Sequence, residues 1–153
     1  METEKELLRL NIARGDIKKA IELLEAAEKH APTSIEYEAL VMGAIIHYAR
    51  PFSCNEKSLT ANALARVPPT VIEGYSPDEL KLHERLIDRR NKAIAHAEWN
   101  EFPTAIDRET KVIGSSRYSV YPEFLDPKPL IALSRTLSTR LHNMVADHVY
   151  KMP

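Results

Sequence analysis

Apolar residues return every three or four positions through four separate stretches of this chain, and prolines stop the pattern between them. Leu7, Leu10, Ala13, Ile17, Ile21 and Leu24 trace one helical face in the first stretch. Tyr37, Val41, Ala44, Ile45 and Tyr48 trace a second. Leu82, Leu86 and Ala93 mark a third, with Ile87 and Ile94 beside it. Leu130, Leu133, Leu137, Leu141, Met144 and His148 complete the series. Strands alternate their side chains with period two, so this spacing commits the chain to helices that each bury one stripe.

The punctuation sets the boundaries. Residues 3–30 read as helix, interrupted at Gly15-Asp16. Asp16 can cap a second helix there, so one bent helix and two short ones both fit. Pro32 closes the segment, because the residue before a proline avoids helical geometry. Residues 34–50 form the next helix, with Thr33 or Ser34 as cap and Pro51 as stop; its broad apolar face suits a central helix. SPDEL opens the helix 76–95: Ser76 is the N-cap, Pro77 takes the first helical position and Glu79 completes a capping box. Asp126 and Pro127 open the last helix, 127–151. Between these lie a long loop (about 52–75), where LTANALARV can form a short helical turn, and an irregular insertion (about 100–126). Within the insertion, KVIGSSRYSVY places β-branched and aromatic residues around Gly-Ser-Ser and admits a short hairpin. The expected fold is all-α, an up-and-down bundle of four to five helices in a single domain, 1–153. ARGDIKKAIELLEAAEKHAP has the offsets of part of a tetratricopeptide repeat, but that architecture stacks several copies of about 34 residues, and no second copy occurs.

Several function classes drop out on composition. The chain is 153 residues long, enough for one core, with 44% hydrophobic and 28% charged residues, the balance of a folded domain. Its net charge of −1 offers no general positive field, so any RNA or DNA site must be a local patch. METEKELLRL lacks the apolar core of a signal peptide, and the longest apolar run, ALVMGAII, is too short to span a bilayer; a cytoplasmic protein with no membrane partner is expected. Cys54 is the single cysteine, which suits a reducing compartment, and no Cys-His motif surrounds it. The six histidines show no ligand spacing with acids or cysteines, so neither a metal nor a cofactor is expected. Neither a phosphate-binding G-x-x-x-x-G-K-S/T loop nor a dinucleotide-binding glycine pattern occurs.

The residue types that carry chemistry gather in KLHERLIDRRNKAIAH. Lys81, Arg85, Arg89, Arg90 and Lys92 stand there against Glu84 and Asp88. Asp88 reaches Lys92 across one helical turn, and a solvated, salt-bridged face is the plain structural account. The order of residues at the end adds something: Arg90-Asn91, four residues and then His96. This resembles the R-N/D/H-x-x-x-x-H signature of HEPN domains (higher eukaryote and prokaryote nucleotide-binding). LHERLIDRRNKAIAHAEW looks like a prokaryotic branch of that family, and YARPF, residues 48–52, is similar to segments of such proteins.

The resemblance implies an all-α bundle of four to five helices. It also implies a homodimer, in which two copies of the motif face each other across a twofold axis. Many members cleave RNA without a metal: the ribose 2′-hydroxyl attacks the neighbouring phosphate. On that pattern Arg90 stabilises the charged transition state, Asn91 orients the histidine or bonds a phosphate oxygen, and His96 transfers the proton. The implied setting is a toxin–antitoxin or phage-defence system, with RNA and a cognate antitoxin or other protein as partners. Other HEPN-like proteins lack activity, so a catalytically inactive protein-interaction or dimerisation module is the second reading.

Helical geometry leaves one choice open. Arg89 and His96 are seven residues apart, about 700° of rotation, and share a face of an uninterrupted helix. Arg90 and His96 are six apart and point roughly 120° from each other. Either the helix ends or distorts before His96, or Arg89 is its partner. The candidate RNA and phosphate contacts are Arg89, Lys92, Trp99 and His83, with Trp99 placed to stack a base or to anchor a loop or dimer contact. His96, in a last helical turn, could instead bond the final carbonyls. His47 is expected as a satisfied core histidine and His148 as a packing residue.

Overall fold

The computed structural model describes residues 2–53, 65–95, 104–115, 120 and 123–151. Four helices form an antiparallel bundle: α1 (Glu2–Ala27), α2 (Ile35–Ala49), α3 (Pro77–Arg89) and α4 (Lys128–Tyr150). The antiparallel order shows in the pairs that join the helices. Glu6 meets His148 and Glu25 meets Arg135 between α1 and α4. Asp16 meets His47 between α1 and α2, and Tyr48 meets His83 between α2 and α3. Leu24, Ile45, Leu86 and Leu130, one from each helix, line a common space at the centre. Each such side chain contributes about 1.5–3 kcal/mol by leaving water.

The periodic stripes are the buried faces. Leu10, Ala13, Ile17 and Leu24 are buried on α1, as are Tyr37, Val41, Ala44, Ile45 and Tyr48 on α2. On α4 the same holds for Leu130, Leu133, Leu137 and Leu141, with Met144 packed at the edge. Ser34 caps α2, its hydroxyl accepting from Tyr37 N at 3.1 Å. The capping box of α3 is complete: Glu79 N donates to Ser76 Oγ at 3.2 Å, and Ser76 N donates to Glu79 Oε2 at 2.9 Å.

The ambiguity at Gly15-Asp16 resolves to one continuous helix. A mid-helix glycine costs about 1 kcal/mol, and the buried stripe running past it outweighs that. Asp16 caps nothing; its carboxylate receives Arg50 at 3.1 Å and His47 Nδ1 at 3.3 Å from α2. Its neighbour in space, Arg9, is only 2% exposed and donates Nη2 to the carbonyl of Arg50 at 2.8 Å. Burial pushes the Arg9 guanidinium down from its ordinary value, against the pull of Asp16.

The connections follow their prolines. Pro51 turns the end of α2 into a 3-10 turn, Arg50–Phe52. A second, Pro69–Ile72, lies within the expected long loop and buries Val71. The short helical turn expected in LTANALARV falls mostly outside the described residues, as does Cys54. A hairpin does form in the insertion, but not around Gly-Ser-Ser. Its strands are β1 (Thr104–Asp107) and β2 (Val112–Ser115), antiparallel, with Ala105 opposite Gly114 and Asp107 opposite Val112. The turn precedes β2, where Asp107 Oδ1 accepts the backbone N–H of Glu109 at 2.9 Å and Lys111 takes the left-handed region. Those bonds, with Thr110 foremost, hold the Asp107 carboxyl below its usual range. Asp126 meets the start of α4 by accepting from Lys128 N at 3.0 Å, while Pro127 supplies the first carbonyl, to Ile131 N at 2.9 Å.

Candidate anion site at the end of helix α3

The capping box fixes the register of α3 from its first turn, and that register sends Leu82 and Leu86 inward. It also sends His83 inward. His83 is 6% exposed, its Nδ1 3.0 Å from Tyr48 Oη, with Phe52, Tyr48 and Tyr75 edge-on around the ring. Burial pushes the imidazole below its ordinary value and the Tyr48 hydroxyl far above its own. His83, expected as a candidate phosphate contact, thus sits inside the bundle against three aromatic rings. Two of the segments that carry the family resemblance, YARPF and the start of LHERLIDRR, meet in this aromatic box.

One turn further on, two arginines converge on one carboxylate. Arg85 Nε lies 2.5 Å from Glu123 Oε1, and Arg89 Nε lies 3.1 Å from the same oxygen. The Arg85 guanidinium also lies 5.3 Å over the ring of Phe124. Phe124 is buried, and its carbonyl accepts from Tyr37 Oη at 2.5 Å, which ties this segment to α2. Arg85 and Glu123 escape a motif-based reading. The four-residue spacing of Arg85 and Arg89 is visible in the chain, but their acceptor is 34 residues beyond Arg89.

The helix changes type at Arg90. Residues Arg90–Ala95 form a π turn that continues α3 and packs against α2. Inserted π turns widen the helix and recur at functional sites. A distortion before His96 is thus present, and His96 and Trp99 themselves lie outside the described residues. Arg90 donates Nη1 to Asn91 Oδ1 at 2.9 Å. Its Nε is buried and has no hydrogen-bond partner among the described residues. Lys92 turns back to Asp88 at 2.6 Å, the expected one-turn ion pair, half in solvent. A guanidinium with one buried donor unsatisfied among the described residues is suited to an oxyanion.

His47 and His148 each join two helices through a carboxylate. His47 is half-buried and joins Arg50 on Asp16 rather than sitting in the core. His148 leaves the leucine stripe to pair with Glu6 at 3.2 Å. Among the described residues no group of three or more His, Cys, Asp or Glu side chains could hold a metal ion, and no helix is long and apolar enough to cross a membrane. No protein-family model matches the chain, no curated protein matches it, and no solved structure matches it.

Proposed function

We propose that this chain is a HEPN-like helical domain that acts on RNA, gripping a backbone phosphate at the π turn that ends α3. The observation that carries the reading is Arg90: it opens the π turn, bonds Asn91, and keeps a buried Nε without a hydrogen-bond partner among the described residues. A buried, unsatisfied donor on a permanent cation is costly unless an acceptor arrives, and a phosphate oxygen is such an acceptor. Arg89 is drawn away to Glu123, which favours Arg90 over Arg89 as the residue that serves His96. On this reading Asn91 orients Arg90, His96 moves the proton of the ribose 2′-hydroxyl, and Lys92 adds charge near the backbone. The working unit is a homodimer, with a toxin–antitoxin or phage-defence role and a cognate antitoxin as partner.

The test pairs the single variants Arg90→Ala and His96→Ala with the double variant in an RNA cleavage assay, alongside binding of labelled RNA. Loss of cleavage in each variant, with binding weakened mainly by Arg90→Ala, is the expected pattern. A folded wild-type protein that neither binds nor cleaves RNA, where a control ribonuclease does, removes the reading.

A second reading, an inactive protein-interaction module, has one observation in its favour. On the outer side of α2, Ile35 is 75% and Ile46 37% exposed, with exposed Ala39 between them. Apolar surface of this kind marks contact sites for other chains. Under it, the Arg90 and His96 variants alter melting or association and no ribonuclease activity is found in the wild type.

A further inference from the structure

We infer that Arg85 and Arg89 form a second phosphodiester-binding site, which Glu123 occupies from within the chain as a displaceable stand-in for the phosphate. The inference rests on the preceding reading only in that RNA supplies the competing anion.

The geometry is that of an anion site already filled. Two guanidinium groups four residues apart on α3 aim their Nε–H groups at one carboxylate, at 2.5 and 3.1 Å. Four residues are one helical turn, so both arginines leave the same face. A carboxylate and a phosphodiester each carry one negative charge shared by two oxygens on a single central atom. The guanidinium fork accepts either one. The Glu123 side chain is 14% exposed while that of Arg85 is 50% exposed, so an incoming anion meets the outer arginine first. The pair with its carboxylate carries a net charge of +1, from two arginines and one glutamate; without the carboxylate it carries +2.

Glu123 stays in place for reasons beyond its own charge. Phe124 is buried beneath Arg85, its carbonyl bonded to Tyr37 Oη and its N–H bonded to Val120 O at 2.7 Å. These contacts tether the carboxylate beside the arginines at high effective concentration. They also survive its removal, so a variant at position 123 keeps its anchor. The site lies immediately before the π turn, and RNA held at Arg90 brings its next phosphates within reach of the pair. Exchange of Glu123 for phosphate then frees the carboxylate while Phe124 keeps its anchor.

The experiment measures binding of a labelled 20-nucleotide single-stranded RNA (about that length spans several phosphates) over a series of salt concentrations. The wild type, Glu123→Gln, the triple variant Glu123→Gln/Arg85→Gln/Arg89→Gln and Arg90→Ala are compared. Glu123→Gln is expected to bind about tenfold tighter at low salt, with the slope of log K against log salt steeper by roughly 0.7–1.4, one or two added phosphate contacts. The triple variant is expected to lose that gain. Glu123→Gln with wild-type affinity and slope overturns the inference. Should Glu123→Gln lose its cooperative melt, the wild type is compared with Arg85→Gln/Arg89→Gln: the double variant is expected to bind RNA more weakly and with a shallower salt slope, and equal affinity and slope overturn the inference. RNA binding that depends on Arg90 but not on Glu123 leaves the functional reading standing and removes this one. Absence of RNA binding in both wild type and Glu123→Gln removes both.

Discussion

Arg89 and Arg90 are adjacent in the chain and oppositely employed: Arg89 Nε reaches Glu123 at 3.1 Å, whereas Arg90 Nη1 turns to Asn91 at 2.9 Å and its Nε has no hydrogen-bond partner among the described residues. The change from α to π geometry falls between them. Arg89→Ala is therefore expected to lower stability by about 1 kcal/mol, the loss of one partly buried ion pair. Arg90→Ala is expected to change it by no more than about 0.5 kcal/mol, because among the described residues no acceptor is orphaned beyond the exposed Asn91. Urea unfolding of both variants checks this; equal losses would mean that Arg90 is structural after all.

His83 makes stability depend on pH. Burial lowers its folded-state value below the ordinary histidine value, about 6.5, which the unfolded chain keeps. Below that value the unfolded state binds the proton more readily, so this contribution is complete above about pH 6.5 and is lost as pH falls from there toward the folded value. His83→Phe keeps the aromatic packing and removes the titration. Unfolding measured at several pH values from 5 to 8 should show a shallower acid-side loss in the variant, and parallel curves would refute the assignment.

Two glycines are expected to answer alanine in opposite ways. Gly15 is exposed in the middle of α1 and an added Cβ meets nothing within 4 Å, so Gly15→Ala should stabilise by about 0.5–1 kcal/mol. Gly74 stands at φ +77, where a Cβ also comes within 3.3 Å of Arg140 Nη2. Arg140 lies over Tyr75 and bonds the carbonyls of Val71 and Glu73, so Gly74→Ala strains the backbone and disturbs that contact. A loss of about 1–2 kcal/mol is expected there. Thermal melts of the two variants moving in the same direction would contradict this account.

Ser134 is 1% exposed in the bundle centre and its hydroxyl has no hydrogen-bond partner among the described residues. A buried hydroxyl left unpaired costs about 1–3 kcal/mol, partly offset by the packing it provides. Ser134→Ala is expected to raise the melting temperature by about 2–4 °C, roughly 1 kcal/mol for a chain of this size. A fall of that size would show that the hydroxyl has an acceptor.

The sequence by itself determined the elements and their buried faces. The stripes on α1, α2 and α4 are local patterns, and the Ser76–Glu79 capping box is written within four residues, so neither needs knowledge of the rest of the chain. The basic segment at the end of α3 was legible for the same reason. The tertiary structure decided what local pattern leaves open. Gly15-Asp16 carries the signs of a helix break, yet burial against α2 and α4 keeps α1 continuous and Asp16 meets His47 and Arg50. The surroundings of His83 are set by Tyr48, Phe52 and Tyr75, which three separate segments bring to it. That Arg89 is held by a carboxylate turned on Glu123, a residue 34 positions from it in the chain. Helix propensity and capping act within a turn or two of chain, whereas the partner of a charge is set by which distant segment folds against it.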